Sequence, residues 1–421
     1  MRAVRFIHCA DLHIDSPFKG ISETRADIGK ALQQATYESF HNIVDLALRE
    51  QVDFVVIAGD VYDSVDRSLR AQLKFRDELR RLTSAGIEVF LTCGNHDPLD
   101  SWSATVEWPE GVRSFRGDTV DCYVVERGGE TVARVCGISF PKKDVYENLA
   151  QRFEPVPDEV PCVGVLHASV GNVGDHIPYA PCGVDNLCGK GISYWALGHV
   201  HTRSVLREEE PAIVYAGCSQ SQQPNESGPK GCYLVVLKPG GPPAMKFVAT
   251  DVVRYCWESL DVSTCRTYDD VMARVEERCG DVVQEMDGRH AVVRLTLTGR
   301  TALHRELQRA GAMEELVEQA RDRLAGRSPW VWLEKLVPGT AGAYDVDALR
   351  RGEDFVADVI SIFDELEQKE ADGWQELMER LEIVGRNWQG HRYLRQLSKE
   401  ELRELVRQAR TLTLDRLVRS D

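Results

Sequence analysis

No apolar run in this chain approaches the length of a membrane-spanning helix, and the opening Met1-Arg2-Ala3-Val4-Arg5 leads straight into strand-forming residues without a signal-peptide pattern. There is no Cys-x-x-Cys pair either. The 12 cysteines are scattered singly, which in a chain this large points to reduced, mostly buried thiols and a cytoplasmic protein. Internal repeats and low-complexity segments are absent. Basic residues are outnumbered, 51 Lys and Arg against 67 Asp and Glu, for a formal net charge of −16. So acidic a protein is a poor non-specific binder of nucleic acid. That weighs against a DNA-coating role but not against a nuclease, whose substrate would need bound metals or a local basic patch.

What is present is a globular composition, 43% hydrophobic and 28% charged, in 421 residues. That length exceeds one ordinary core and predicts two or three domains. The first half is organised around Gly94-Asn95-His96-Asp97, which follows a strand over 87–92 and is stopped by Pro98. Neighbouring residues on such a loop point in different directions, so Asn95 can face a metal while His96 faces a substrate. Comparable stretches follow other apolar strands: Asp11-Leu12-His13 after 4–10, Gly59-Asp60-Val61-Tyr62-Asp63 after 53–58, His167 after 162–166, and Gly198-His199-Val200-His201 after 194–197. In extended chain, residues two apart share a side, so Asp11 and His13 can grip one ion from a strand end, and His199 and His201 would place both imidazoles on one side. Five of the 11 histidines fall in these stretches, a coincidence that calls for a shared site.

Between the motifs, helices are expected over 25–50 and 67–82, the second with Arg67, Arg70, Lys74 and Arg81 on a solvated face. Strands at 122–126 and 131–138 flank Arg127-Gly128-Gly129-Glu130, a hairpin signal. More strands run from 212 to 250, with loops at 220–228 and 238–243; the second reads as a linker, with 245–253 a strand leaving the domain. Further on come a strand at 257–262, a helix capped by Thr267 and Asp270 with Val271, Val275 and Cys279 as its stripe, a strand at 290–297, a helix over 302–324 and a strand at 330–333. From about 345 the pattern is helical: Phe355, Val359, Phe363 and Leu366 form one stripe, and Leu402, Leu405, Val406 and Ala409 another, opened by Ser398 and Glu401. The expected domains are 1–253, 254–338 and 339–421.

The candidate ligands are Asp11, His13, Asp60, Asn95, His167, His199 and His201; shared around a bridging Asp60 they make two four-ligand sets. Two cations so held are the usual clamp for in-line displacement at phosphorus. Oxygen and imidazole donors without thiolate suit Mn²⁺, Fe²⁺ or Zn²⁺ better than Mg²⁺.

This ordered set of motifs resembles the calcineurin-like metallophosphoesterase superfamily. The opening His8-Cys9-Ala10-Asp11-Leu12-His13-Ile14-Asp15, with Tyr179-Ala180-Pro181 ahead of 191–201, further resembles the SbcD-type DNA exonucleases and their bacterial YhaO-like branch. The resemblance implies an α/β (α+β) fold: a two-sheet β-sandwich flanked by helices with the motif loops at one edge, a small α+β cap facing DNA, and a helical C-terminal region. It puts Asp11, His13, Asp60 and His201 on one metal and Asp60, Asn95, His167 and His199 on the other. His96 becomes the general acid or phosphate contact, Asp97 orients it through a carboxylate–imidazole hydrogen bond, and Asp63 supports them. The implied activity is a metal-dependent DNA exonuclease or endonuclease in DNA repair, cleaving phosphodiester bonds at DNA ends with a di-metal-activated water. Its implied cofactors are two divalent ions, Mn²⁺ foremost with Fe²⁺ or Zn²⁺ as alternatives. Its implied partners are DNA, an SMC-like ABC ATPase and a second copy of the chain, with no membrane. Protein phosphatases of the superfamily follow the second motif with Arg-Gly and end the third in Glu; here Ser64 follows Asp63, and Asp97 ends the third. The alternatives are a phosphodiesterase for small molecules or nucleotides and, further off, a non-enzymatic scaffold.

Overall fold

The structure, a computed structural model, describes residues 2–18, 25–63, 68–101, 106–156, 160–171, 177–238, 240–368 and 399–418. The chain divides into two units. The first takes residues 1–256 with 282–292 and 328–332, and the second takes 257–281, 293–327 and 333–421.

In the first unit, short runs of β-branched and aromatic residues become strands buried on both faces, as expected where parallel strands are covered on either side. β1 (Val4–Cys9), β2 (Phe54–Ala58), β3 (Glu88–Thr92) and β4 (Val112–Ser114) run parallel in one sheet. β5 (Asp121–Arg127), β6 (Glu130–Ile138), β7 (Cys162–His167), β8 (Tyr194–Gly198), β9 (Ser204–Arg207) and β10 (Ala212–Tyr215) make the other, in the order β5-β6-β7-β8-β10-β9. β11 (Gly231–Leu237) and β12 (Ala244–Ala249) complete the first sheet in the order β12-β11-β1-β2-β3-β4. Alternation sorts the side chains. Phe6, Val56 and Phe90 face Val135, Val165 and Ala196 of the opposite sheet. Ile7, Val55, Ile57 and Val89 point the other way, onto α1 (Ala26–Glu50) and α2 (Leu69–Ser84). This is the two-sheet sandwich flanked by helices that the sequence predicts. Because β1, β2 and β3, and likewise β7 and β8, are parallel, their C-terminal ends gather at one edge, the usual place for a site in such sheets.

The expected hairpin closes through Gly128 and Gly129 at φ 64° and 82°, the left-handed pair that a two-residue turn demands. Other expectations are corrected. The loop at 238–243 is no linker: it joins the antiparallel β11 and β12. The strand expected over 245–253 breaks after Ala249, where Thr250 and Asp251 both turn to donate to the Lys230 carbonyl. The basic face of α2 is not simply solvated, since Arg81 pairs with Asp45 and Glu78 and the Lys74 ammonium sits 4.1 Å from the Tyr37 ring centroid. The cysteines are not all reduced. Cys122 and Cys136 stand directly opposite on β5 and β6, a pairing that a separation of 14 residues does not reveal, and they form a disulfide; the other ten remain thiols.

Later in the chain, β13 (Val253–Asp261), β14 (His290–Thr298) and β16 (Val331–Pro338) form a sheet in that order, and β15 (Arg300–Thr301) pairs with β17 (Ala341–Gly342). Thr267 and Asp270 cap α3 (Tyr268–Glu285) reciprocally, and Val271, Val275 and Cys279 are buried. The helix expected over 302–324 is two, α4 (His304–Leu307) and α5 (Ala312–Leu324), parted at Gly311 with φ 86°. After α6 (Val346–Arg350), the two C-terminal stripes lie on α7 (Phe355–Gln368) and α8 (Lys399–Leu417); Arg67 and the Ser398 cap fall outside the described residues. The Asp415 carboxylate of α8 accepts hydrogen bonds from the Gly342 amide and the Tyr344 hydroxyl, each at 2.8 Å, so the end of this helix packs within the second unit. Among the described residues no helix is long and apolar enough to cross a membrane.

Candidate metal centre

Asp11, His13, Asp60, Asn95, His167, His199 and His201 all come together at the shared strand edge. The route differs from the one that extended spacing suggests. Asp11, His13, Asp60 and His199 have φ of 49°, 42°, 51° and 96°, in the left-handed region that non-glycine residues rarely occupy. Strand alternation therefore does not aim Asp11 and His13 at one ion; a looped backbone does. Such conformations cost on the order of 1–3 kcal/mol each and persist only where the surroundings enforce them. Here the first two motif loops are bonded to each other: the amides of Asp11, His13 and Ile14 donate to the carbonyls of Gly59, Asp60 and Val61 at 3.1, 3.1 and 2.8 Å.

Three of the four candidate-ligand imidazoles have one ring nitrogen committed outside the donor set. His13 Nδ1 meets Asp63 Oδ1 at 2.9 Å, His167 Nδ1 meets the Ala58 carbonyl at 2.9 Å, and His201 Nδ1 meets Glu226 Oε1 at 2.6 Å. With those nitrogens donating, Nε2 is the ring atom each imidazole turns toward the site. Those of His13 and His201 lie 3.1 Å apart, within hydrogen-bond distance, and a shared cation would take the place of the proton between them. The Asn95 side-chain oxygen stands 3.0 Å from His167 Nε2 and 3.1 Å from His199 Nδ1. Asp60 Oδ2 lies 3.3 Å from His167 Nε2 and 3.9 Å from His13 Nε2, between the two groups of donors. Asp11, His13 and His201 converge as one cluster of donor atoms, and Asp11, Asp60 and His167 as another. Donor atoms that converge in this way, three of the four rings fixed by hydrogen bonds from behind, fit divalent cations.

The third motif is corrected in one respect. The carboxylate against His96 Nδ1 is Asp63, at 2.9 Å, and Asp63 also holds His13 and Ser16. Asp97 instead closes the loop: it accepts from the Val61 amide at 2.8 Å and the Gly94 amide at 2.7 Å, tying the second motif to the third. The His96 amide donates to Asp60 Oδ1 at 2.9 Å, and its side chain is 42% exposed where the ligand candidates are mostly buried. Glu226 was not anticipated. It lies in the loop at 220–228 with no motif around it, and only the general need of a ligating histidine for a partner could have pointed to it.

Three glycines explain why the motifs begin as they do. The buried His167 ring is enclosed by Gly59, Gly94 and Gly198: a Cβ built on them would lie 2.4 Å from its Nδ1, 2.7 Å from its Cε1 and 2.9 Å from its Nδ1 respectively. A Cβ on Gly94 would lie closer still to Asp60 Oδ1, and one on Gly198 to the Ala58 carbonyl, so Gly-Asp, Gly-Asn and Gly-His each begin with a bare Cα packed beside one imidazole and its neighbours.

Charge follows from this packing. Burial alone would raise the Asp60 carboxyl, but the adjoining His167, hydrogen-bonded to it, holds it well below the usual carboxylate range. Burial would likewise lower His167 and His201, yet Asp60 and Glu226, respectively, lift both to about 9. For Asp11 burial wins and raises the carboxyl against the pull of His167 and His201. Burial depresses His96, but its hydrogen bond to Asp63 more than compensates and raises it, which favours the protonated acid. By contrast His8, bonded to Tyr194 and the Leu197 carbonyl in the core, is driven by burial down to about 3 and stays neutral. Bound divalent ions would supply Lewis-acid polarisation of a phosphoryl group and acidify a water. The chain itself supplies the rigid donors and an exposed imidazole able to give a proton to a leaving oxygen.

These features define a phosphoesterase, and residues 4–203 match the calcineurin-like phosphoesterase family, to which the chain belongs. Residues 257–341 match the middle domain of the metallophosphoesterase YhaO. The chain is 32% identical over 412 residues to the uncharacterized metallophosphoesterase YhaO of Bacillus subtilis, covering 97% of this chain and 96% of that protein. It is 26% identical to the DNA double-strand break repair protein Mre11 of Sulfurisphaera tokodaii (51% of this chain, 53% of that one) and 22% identical to a polypeptide of the nuclease SbcCD of Bacillus subtilis (56% and 67%). By family and by site chemistry the chain is a phosphodiester hydrolase.

Proposed function

We propose that this phosphoesterase is a metal-dependent DNA nuclease acting at DNA ends in repair, cytoplasmic, and working with an SMC-like ATPase. The observation that carries the reading is the pairing of a buried donor shell with an exposed His96 held by Asp63, an acid available to a bulky leaving group. The Mre11 and SbcCD likenesses, each covering about half the chain, support DNA as substrate. In this reading Asp11, His13, Asp60 and His201 hold one ion and Asp60, Asn95, His167 and His199 the other, with Mn²⁺ the native metal. His96 protonates the departing 3′ or 5′ oxygen, Asp63 orients it, and Asp97 and Glu226 brace the loops. Residues 254–338 form the DNA-facing cap. Residues 339–421 dock the ATPase through the exposed Phe355, Ile362, Leu405 and Leu412.

The test is an assay with Mn²⁺ on end-labelled duplex and single-stranded DNA beside bis(p-nitrophenyl) phosphate. Cleavage of the strands is expected. Hydrolysis of the small ester without any DNA cleavage would replace this reading with a small-molecule phosphodiesterase.

A further inference from the structure

The loop that follows β6 touches the metal centre at both ends. At its start the Phe140 ring packs edge-on against His167, with centroids 5.4 Å apart at 87°, while the carbonyls of Phe140 and Pro141 accept the amides of Leu99 and Asp100 at 3.0 and 3.2 Å. This fixes the loop just beyond His96. At its end the Val145 carbonyl accepts the Ala180 amide at 2.7 Å, and the Tyr146 ring stacks on Tyr179 at 5.9 Å and 17°. Tyr179 in turn meets His199 edge-on, 5.7 Å away at 85°. A series of rings therefore runs from a candidate ligand outward to Tyr146, which is 61% exposed while Tyr179 is buried. Lys142 and Lys143, exposed on the same loop, join no ion pair among the described residues.

We propose that Tyr146, braced by Tyr179 and flanked by Lys142 and Lys143, is a stacking platform for one nucleobase of a single-stranded DNA end beside the scissile phosphate. The inference rests on the nuclease reading and specifies the substrate it takes. A chain of net charge −16 gains little from general attraction to DNA. A rigid ring open to water gives sequence-tolerant affinity without charge, and two lysines beside it meet the neighbouring phosphates.

The test is an abasic scan: single-stranded oligonucleotides that each lack one base near the cleaved bond, with KM measured for wild type, Tyr146→Ala and Tyr146→Phe. In wild type, removal of the platform base should raise KM roughly 5- to 100-fold at one position. In Tyr146→Ala that position should become indistinguishable from its neighbours, and KM for the intact strand should rise by the same factor. Tyr146→Phe should restore the wild-type profile, because the ring and not the hydroxyl stacks. The same profile in wild type and Tyr146→Ala, or a Phe variant as weak as Ala, overturns the platform. Replacing Lys142 and Lys143 together by Ala should lower the salt slope of binding by about one to two; an unchanged slope removes the lysines from the assignment. A wild-type protein that hydrolyses bis(p-nitrophenyl) phosphate but no DNA overturns the nuclease reading itself, which DNA cleavage with a Tyr146-independent profile would leave standing.

Discussion

Gly94→Ala adds one methyl group to a loop whose backbone an alanine can adopt, since Gly94 is not among the positive-φ residues. The methyl would nonetheless lie 2.3 Å from Asp60 Oδ1 and 2.7 and 2.8 Å from His167 Cε1 and Nε2, where ordinary contact begins at 3.4 Å. About 1 Å of movement is needed. The loop cannot supply it freely, because the Gly94 amide is bonded to Asp97 and the His96 amide to Asp60. The carboxylate and the imidazole must therefore yield. Overpacking of this kind costs about 1–3 kcal/mol of stability, and misplacing catalytic groups by about 1 Å costs roughly 100-fold in rate. The expected variant is folded, binds less than two ions per chain, and loses about 100-fold or more in turnover of bis(p-nitrophenyl) phosphate. Circular dichroism, metal analysis after dialysis and steady-state rates measure the three quantities. Gly183→Ala is the control: its Cβ would meet only Asn186, at an ordinary 3.6 Å. Wild-type metal content and rate in Gly94→Ala would refute the claim that bare Cα atoms around His167 set the donor geometry.

Asp60→Ala should lose both ions and all activity, because Asp60 stands between the two groups of donors; two ions per chain in that variant would displace it from the bridging position. His96→Ala should keep both ions and lose about 10²–10⁴-fold in rate, and a parallel fall in metal content would recast His96 as a ligand. His167 and His201, both raised to about 9, carry protons at pH 7 in the metal-free protein, so cations must displace them and affinity should climb with pH from 7 to 9. Calorimetry in buffers of different ionisation heat should report about two protons released per chain, and release of less than one would contradict the assignment. Phe355→Asp with Ile362→Asp, at exposed positions of α7, should weaken association with the ATPase while leaving hydrolysis of the small ester unchanged; undiminished binding in a pull-down would free that face of the role.

Much of this was legible because the motifs are local. A β-branched run followed by Gly and a ligand-type residue encodes both the strand and the loop at its tip, and the sandwich follows from runs such as Phe54–Ala58, buried on both faces. What escaped was non-local or conformational. Nothing near Glu226 announces that it will meet His201, 25 residues away. The exchange of roles between Asp63 and Asp97 depends on how two loops cross, as the bond from the Val61 amide to Asp97 makes plain. Cys122 and Cys136 became partners through hairpin register, which the turn sets and the cysteines do not. The helix that periodicity would have run through 302–324 starts afresh after Gly311, because a left-handed φ outweighs an apolar stripe.

The same contrast explains why the ligand motifs read so clearly. His167 has no glycine beside it and no partner at short spacing, yet it is the residue the others are built against. Its ring fills the space that Gly59, Gly94 and Gly198 leave empty, and its Nδ1 is fixed by the Ala58 carbonyl at the end of β2. Each Gly-ligand pair is thus a statement about a distant imidazole: the glycine records where the ring must fit, and the next residue records what the ring helps to bind. The left-handed backbones of Asp60 and His199 follow Gly59 and Gly198, and each is tied to the first motif, through the His13 amide on the Asp60 carbonyl and the His199 amide on Asp11 Oδ1. Removing the imidazole but not the glycines should therefore loosen three loops together, whereas enlarging one glycine displaces the ring and the ligand set as one body.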